Sequence, residues 1–200
     1  SPQWLRAEFN LPADAIICIA VGRLVPVKGF DILIEAVQQI EAQIPQFVCL
    51  IVGDGTLQQE LTRQIQQAGL ENKVRLLGFF GREKVLELLK SSDIFVMPSR
   101  YEGTPIALLE AAALGLPIVA SHTGGIPELV QDEEHALLIP PEDTHALAQE
   151  LIRLSQDRQF ARLLGQNAQK RIRVDFNLKA QVQATLNTYQ NAWTKLIRQS

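Results

Sequence analysis

The chain has 200 residues, of which 46% are hydrophobic, and its net charge is −3. This length and composition suffice for one domain with a substantial core, and the weak negative charge argues against a protein that binds nucleic acids or anionic membranes. The two cysteines, Cys18 and Cys49, fall within apolar runs, so we expect buried thiols and neither a disulfide scaffold nor a Cys/His metal site.

Short apolar runs rich in β-branched residues alternate with helical patterns along most of the chain. The runs predict six buried strands, at residues 16–21, 47–52, 74–77, 94–97, 118–121 and 136–139. The helical patterns between them cover residues 30–42, 57–68, 82–91, 105–114 and 127–131. After the sixth strand the pattern becomes purely helical, at residues 144–155, 158–174 and 178–198.

This alternation predicts the fold class. Parallel neighbouring strands need crossover connections, so strands that alternate with helices favour a parallel sheet covered on both faces. We therefore predict a doubly wound, Rossmann-like α/β domain with a six-stranded parallel sheet over residues 1–175, and a C-terminal helical tail over residues 176–200. The chain begins without methionine and without a signal peptide, so we expect a piece of a longer, cytoplasmic protein.

Unusual loops follow the predicted strands. Gly22 and Arg23 come after the first strand, Gly53 after the second and Gly78 after the third. The carboxyl ends of parallel strands meet at one edge of the sheet, where open α/β sheets bind ligands, so these residues are expected to converge. Glycines there let backbone amides approach a phosphate closely, which predicts an anion site.

Two cations flank the loop after the first strand. Arg23 and Lys28 are either ordinary surface cations or part of a phosphate-binding site. In such a site arginine binds the phosphate bidentately and lysine supplies a point charge. The loop does not spell the Gly-x-Gly-x-x-Gly dinucleotide fingerprint, and Gly29 follows Lys28 where a P-loop needs serine or threonine. An oxidoreductase is therefore the least favoured class of enzyme.

Two glutamates flank a predicted helix start. Glu110 is the only charged residue from Gly103 to Pro127, and a carboxylate in such an apolar run is costly to bury without donors. We predict that Thr104 caps a helix whose first residue is Pro105, with Glu102 in the loop before it and Glu110 about two turns inside.

The start of a helix attracts anions, so the pattern suggests a ligand that is anionic in the middle and hydroxyl-rich at both ends, such as a nucleotide sugar. The ordinary alternatives are a loop acid at Glu102 and a paired core carboxylate at Glu110. There is no Asp-x-Asp and no cluster at metal-ligand spacing, so we expect no metal and no cofactor. His122 lies at the same edge but has no visible partner.

Several motifs occur in a fixed order: Gly-Arg-Leu, Val-Gly-Asp-Gly, Leu-Leu-Gly-Phe, Ser-Asp-Ile-Phe-Val-Met-Pro-Ser, the two glutamates with seven residues between them, and Gly-Gly-Ile-Pro-Glu. With them, residues 15–175 resemble the C-terminal, donor-binding half of a retaining, group-one glycosyltransferase of the GT-B type, which has two Rossmann-like domains. The resemblance implies metal-independent transfer of a sugar from a UDP-, GDP- or ADP-linked donor to an acceptor hydroxyl. The acceptor-binding N-terminal domain is missing, so the chain alone is expected to be inactive.

The same resemblance implies roles for individual residues. Arg23 and Lys28 would hold the diphosphate and, with Glu102, form the catalytic set; Glu102 would meet the donor sugar and Glu110 the ribose. Main-chain groups of residues 103–106 would face the phosphates and the sugar. The segment 77–79 would face the base. The implied donor-binding residues are Gly22, Arg23, Lys28, Gly53, Leu77, Gly78, Phe79, Glu102, Gly103, Thr104, Pro105, Ile106 and Glu110.

The chain departs from the family in one place that concerns binding, because Thr104-Pro105 stand where many members have an aromatic residue and glycine. The alternatives are a phosphorylase or nucleotide-sugar epimerase of the same two-domain fold, or a non-catalytic nucleotide-binding module. Peripheral membrane association through the missing domain stays open.

The predicted tail helix has a regular apolar stripe, formed by Val182, Leu186, Tyr189, Trp193 and Leu196. This stripe packs either on this domain or, as the resemblance implies, towards the N-terminal domain.

Overall fold

The computed structural model describes residues 2–176 and contains one parallel sheet. Its strands are β1 (Ile16–Val21), β2 (Phe47–Val52), β3 (Val74–Gly78), β4 (Ile94–Met97), β5 (Ile118–Ser121) and β6 (Leu137–Ile139). They lie in the order β3-β2-β1-β4-β5-β6, and every neighbouring pair is parallel. The predicted doubly wound fold is therefore confirmed, with all six strands at the predicted places.

Eight α-helices lie within this part of the chain. They are α1 (Pro2–Glu8), α2 (Phe30–Ile40), α3 (Gln58–Gln67), α4 (Arg82–Lys90), α5 (Ile106–Leu114), α6 (Ile126–Leu129), α7 (Thr144–Gln156) and α8 (Arg158–Asp175). Each of the seven predicted helices that can be compared agrees with its counterpart to within two residues at either end, whereas α1 was not predicted. The predicted tail helix and its apolar stripe lie outside the described residues.

The sheet has a separate hydrophobic core on each face. Cys18 and Ala20 of β1 pack into the core that contains α2 and α7, whereas Ile17 and Ile19 pack into the core with α4 and α5. Alternate residues of a strand point to opposite faces, so a strand buried on both sides reads as a continuous apolar run. Both thiols are buried and free, as predicted, and burial raises the pKa of Cys18.

The order of the strands determines where a crevice opens in the sheet. The chain winds outward from β1 to β3 on one side and from β4 to β6 on the other. The loops after β1 and β4 therefore diverge, and this divergence opens a crevice at the carboxyl edge of the sheet. Arg23 and Lys28 follow β1, and Glu102 follows β4, so the fold brings three of the predicted site residues to this crevice.

Candidate functional site

A cleft of about 810 Å³ opens at the carboxyl ends of the strands. Its walls come from the loops after β1, β3 and β4 and from the first residues of α4 and α5. Nine predicted donor-binding residues line it: Gly22, Arg23, Lys28, Phe79, Glu102, Thr104, Pro105, Ile106 and Glu110. Apolar side chains that were not predicted complete the wall, namely Val21, Phe80, Val85, Met97 and Ala107. Of the other predicted residues, Gly53, Leu77, Gly78 and Gly103 do not line it.

Glu102 is the buried acid of the site, with 5% of its surface exposed, so it is not an ordinary loop acid. The Nζ atom of Lys28 lies 2.5 Å from its Oε1 atom, and the Ser99 hydroxyl donates to the same oxygen at 2.8 Å. The Lys28 side chain is itself only 22% exposed, which excludes the freely solvated cation. The strand ends thus bring together a cation and a carboxylate 74 residues apart in the chain.

Glu110 is also paired. Its side chain is 16% exposed, and the Nε atom of Arg82 donates to its Oε1 atom at 2.9 Å. Arg82 is the first residue of α4, and its side chain is 78% exposed. Sequence reasoning missed Arg82, because an arginine at the start of a surface helix carries no signal that separates it from any other surface cation.

The start of α5 differs from the prediction. The helix begins at Ile106, Pro105 occupies the N-cap position, and no side chain caps the helix, so Thr104 is not the predicted cap. Glu110 is the fifth helical residue, little more than one turn inside the helix and not two. The reason is the backbone of Pro105, whose ψ of 77° is not helical. The first amides of α5 thus have no side-chain acceptor, which suits an anion beside them.

Close backbone contacts hold Lys28 and Glu102 in place. Gly29 has φ 66°, and a Cβ atom there would overlap the carbonyl oxygen of Pro98, at the end of β4. Gly124 has φ 53°, and its Cβ would overlap the carbonyl oxygen of Glu102, to which Gly125 donates its amide at 2.9 Å. Only glycine accepts both the positive φ and the missing space. A Cβ on Gly53 would likewise overlap the Gly22 carbonyl, so Gly53 supports the cleft from behind.

Arg100 fixes the short turn that carries Lys28. Its guanidinium donates to both carboxylate oxygens of Asp31, at 3.0 and 2.7 Å, to Glu142 at 2.8 Å and to the carbonyl oxygen of Pro26 at 2.6 Å. Burial acts to raise the pKa of Asp31, but the hydrogen bonds and charge of Arg100 outweigh it and lower that pKa. Hydrogen bonds to Asp31 and Glu142 in turn raise the pKa of Arg100.

This pair predicts a pH dependence of stability. A carboxyl group whose pKa is lower in the folded state stabilises the fold above its unfolded pKa, and loses that contribution as the pH falls through its folded pKa. The free energy of unfolding of the parent should therefore decline between about pH 5 and about pH 3, and Asp31→Asn should remove part of that decline. The Asp31 side chain is 36% exposed, so solvent screening keeps the effect small.

Urea unfolding at a series of pH values measures this dependence. Asp14→Asn is the matched control, because Asp14 is exposed and forms no ion pair with any residue from 2 to 176. The control should follow the parent. Parallel curves for the parent and Asp31→Asn would contradict the proposed contribution of the Asp31–Arg100 pair.

Residues 2–176 offer neither a membrane-spanning helix nor a metal-binding cluster. No helix within them is long and apolar enough to cross a membrane. No group of three or more histidine, cysteine, aspartate or glutamate side chains in the same residues is placed to hold a metal ion. His122 is exposed and does not line the cleft, so it is not placed to act in it.

A family model and known sequences match this chain. The model of the family described as "Glycosyl transferases group 1" matches residues 3–171. The amylovoran biosynthesis glycosyltransferase AmsK of Erwinia amylovora is 37% identical over 165 residues, which cover 80% of this chain and 40% of that protein. A UDP-Gal:α-D-GlcNAc-diphosphoundecaprenol α-1,3-galactosyltransferase of Escherichia coli is 34% identical over 184 residues, covering 90% of this chain and 47% of that protein.

A solved structure with the same fold contains a nucleotide. The Anabaena protein Alr3699/HepE, solved in complex with UDP and with UDP-glucose, superposes with a TM-score of 0.84 in both structures at 31% and 30% identity. The match covers 94% of this chain and 52% of the Anabaena chain. This chain therefore spans about half the length of the proteins that it matches.

Proposed function

Because this chain belongs to the group 1 family of glycosyl transferases, we propose that it is the donor-binding half of a retaining enzyme that transfers a sugar from a nucleoside diphosphate sugar to an acceptor hydroxyl. The relatives are about twice as long, which is consistent with a separate acceptor domain. The predicted division into a nucleotide-sugar-binding domain over residues 1–175 and a tail helix that crosses to that domain stays a prediction. The names of the relatives favour transfer over the phosphorylase and epimerase alternatives.

One observation carries the proposal: each glutamate of the cleft is held by a cation through one oxygen only. Lys28 and Ser99 contact Oε1 of Glu102, and Arg82 contacts Oε1 of Glu110. Within residues 2–176, no protein group donates to the Oε2 atom of either carboxylate. An ionised carboxylate has about four acceptor positions, so both side chains retain capacity for ligand hydroxyls.

The cations fit the anionic middle of the same ligand. Arg23 is exposed at the cleft and forms no ion pair with any described residue, so its five donors are available for a diphosphate. Lys28 lies on the same wall, and the uncapped amides of α5 face an anion favourably. We propose that Glu102 receives the donor sugar hydroxyls and Glu110 the ribose hydroxyls, while the exposed ring of Phe79 marks the base end.

The chemistry proposed for the complete enzyme needs only electrostatic help from this half. The bond between the anomeric carbon and the phosphate oxygen breaks, and a bond to the acceptor oxygen forms on the same face. The proton of the acceptor hydroxyl passes to the departing phosphate oxygen. Arg23, Lys28 and the α5 amides stabilise the charge on that phosphate, so the proposed reaction requires neither a metal ion nor a cofactor.

A thermal-shift panel tests this function. UDP, GDP, ADP and their glucose conjugates would be compared in the presence of EDTA, with UDP first because the Anabaena relative was solved with it. We expect one nucleotide and its sugar conjugate to raise the melting temperature selectively, since a ligand that binds only the folded state stabilises it. The absence of a shift with every nucleotide would contradict the proposed donor site.

Glu102 should distinguish a nucleotide sugar from its nucleotide. The variant Glu102→Gln keeps the volume but removes the charge, so it should weaken UDP-hexose binding by about 1.5–3 kcal/mol while changing UDP binding little. Calorimetric titration with UDP, UDP-glucose and UDP-galactose measures both effects. Glu110→Gln is the comparison variant, because loss of a ribose acceptor should weaken all three ligands alike. Equal weakening of UDP and UDP-hexose by Glu102→Gln would show that Glu102 is not at the sugar end.

A further inference from the structure

The Arg82–Glu110 pair suggests how the ribose end of the cleft is organised. We propose that Arg82 is a positioning residue: it holds Oε1 of Glu110 so that Oε2 is presented as the acceptor for the ribose hydroxyls. This inference rests on the proposed function, because it assumes that a nucleotide occupies the cleft. Arg82 would thereby set the preference of the site for ribose over a sugar that lacks the 2′ and 3′ hydroxyls.

The exposure of the two side chains indicates that this pair contributes little to stability and more to the orientation of Glu110 in the cleft. Arg82 is 78% exposed, and an ion pair with so exposed a partner contributes little to stability. Glu110, in contrast, is only 16% exposed and lies at the wall of the cleft. The pair therefore joins a solvent-exposed cation to a carboxylate whose orientation the ligand would depend on.

The residues around Glu110 offer few groups that could orient its carboxylate, so its orientation depends on Arg82. The neighbouring cleft residues Phe80, Ile106 and Ala107 carry no charge and no side-chain donor. Within residues 2–176, Arg82 is the only protein group that donates a hydrogen bond to the Glu110 side chain. Without it, the carboxylate would sample other rotamers, and a ligand would have to order it again at an entropic cost.

The other basic residue near the start of α4 points elsewhere. The Nζ atom of Lys84 lies 4.0 Å from the centre of the Trp4 ring and 3.4 Å from the carboxylate of Glu87. Lys84 does not line the cleft. The variant Lys84→Ala therefore removes the same charge from the same helix without touching Glu110, which makes it the matched control for Arg82→Ala.

The test compares calorimetric affinities for UDP and 2′,3′-dideoxy-UDP, which lacks both ribose hydroxyls. We expect the parent and Lys84→Ala to prefer UDP by about tenfold or more, as expected for hydrogen bonds to a charged group. Arg82→Ala should lose about 3- to 10-fold in affinity for UDP and less than about twofold for the dideoxy compound. Arg82→Lys, which keeps a donor, should recover part of the preference for UDP.

A double variant separates positioning from direct contact with the ligand. If Arg82 acts through Glu110, adding Arg82→Ala to Glu110→Gln should weaken UDP binding no further. An unchanged preference for UDP in Arg82→Ala would overturn the proposal while leaving the donor site intact. Equal weakening of both nucleotides would also overturn it, because Arg82 would then act on the diphosphate. A parent chain that binds neither nucleotide would refute the proposed function itself.

Discussion

Alanine at Arg23 or at Lys28 should weaken the binding of a nucleoside diphosphate by about 1.5–3 kcal/mol in each case, the usual size of a charge-assisted hydrogen bond. The two variants should differ in stability. Arg23 is exposed and unpaired among the described residues, so its loss should leave the fold unchanged. Among residues 2–176, removal of Lys28 leaves the buried carboxylate of Glu102 with Ser99 as its one remaining donor, which should cost about 1–3 kcal/mol of folding free energy.

Calorimetry with UDP in EDTA, together with urea unfolding, measures these two effects. Arg63→Ala is the control for the loss of a surface cation, because Arg63 lies on α3 and lines a different cleft. It should bind UDP like the parent. If neither Arg23→Ala nor Lys28→Ala changes the affinity, the diphosphate does not lie between these cations.

Gly124→Ala should destabilise the fold more than Gly69→Ala does, and it should also weaken binding at the proposed sugar end of the site. The new Cβ atom would overlap the carbonyl oxygen of Glu102, and the residue would have to keep a φ of 53°. We expect a loss of about 2–4 kcal/mol in the free energy of unfolding, from steric overlap added to left-handed strain. The displaced Glu102 should also reduce the advantage of UDP-hexose over UDP.

The matched control for this substitution is Gly69→Ala. Gly69 has φ 70°, and apart from Gly69 and its two chain neighbours no residue places a heavy atom within 4 Å of the position that its Cβ would take. The control therefore carries the conformational strain alone, which costs about 1–2 kcal/mol. Urea unfolding measures the free energy of unfolding of both variants, and Gly124→Ala should lower it clearly more than Gly69→Ala does. Equal costs would mean that the loop after β5 does not support Glu102 in the way described.

The regular elements could be predicted because their signal is local. The central strands β1, β2 and β4 are continuous apolar runs, since helices cover both faces of the sheet, and β1 and β2 match the prediction to the residue. The glycine-rich loops then indicated the edge of the sheet at which the cleft opens, without any knowledge of long-range contacts. The convergence of Arg23, Lys28, Glu102 and Glu110 on one cleft follows from the parallel order of the strands.

The pairing within the site could not be predicted, because it depends on contacts between distant segments. Arg82 and Glu110 are 28 residues apart, and no periodicity joins them. The apolar run around Glu110 predicted that Glu110 would be the buried acid, but Glu102 is the more deeply buried of the two. The backbone of Glu102 lies against Gly124, which follows β5, a contact that the sequence does not indicate. The capping role given to Thr104 failed because the backbone of Pro105 delays the helix to Ile106.

A crystal structure of this chain with UDP would show directly where the nucleotide binds. We expect the diphosphate within hydrogen-bonding distance of Arg23 and Lys28 in the 810 Å³ cleft, and the ribose hydroxyls at Oε2 of Glu110. A second cleft of about 790 Å³, at the start of α3, offers the competing location. A nucleotide bound there, with no contact to Arg23, Lys28 or Glu110, would show that the proposed donor site is wrong.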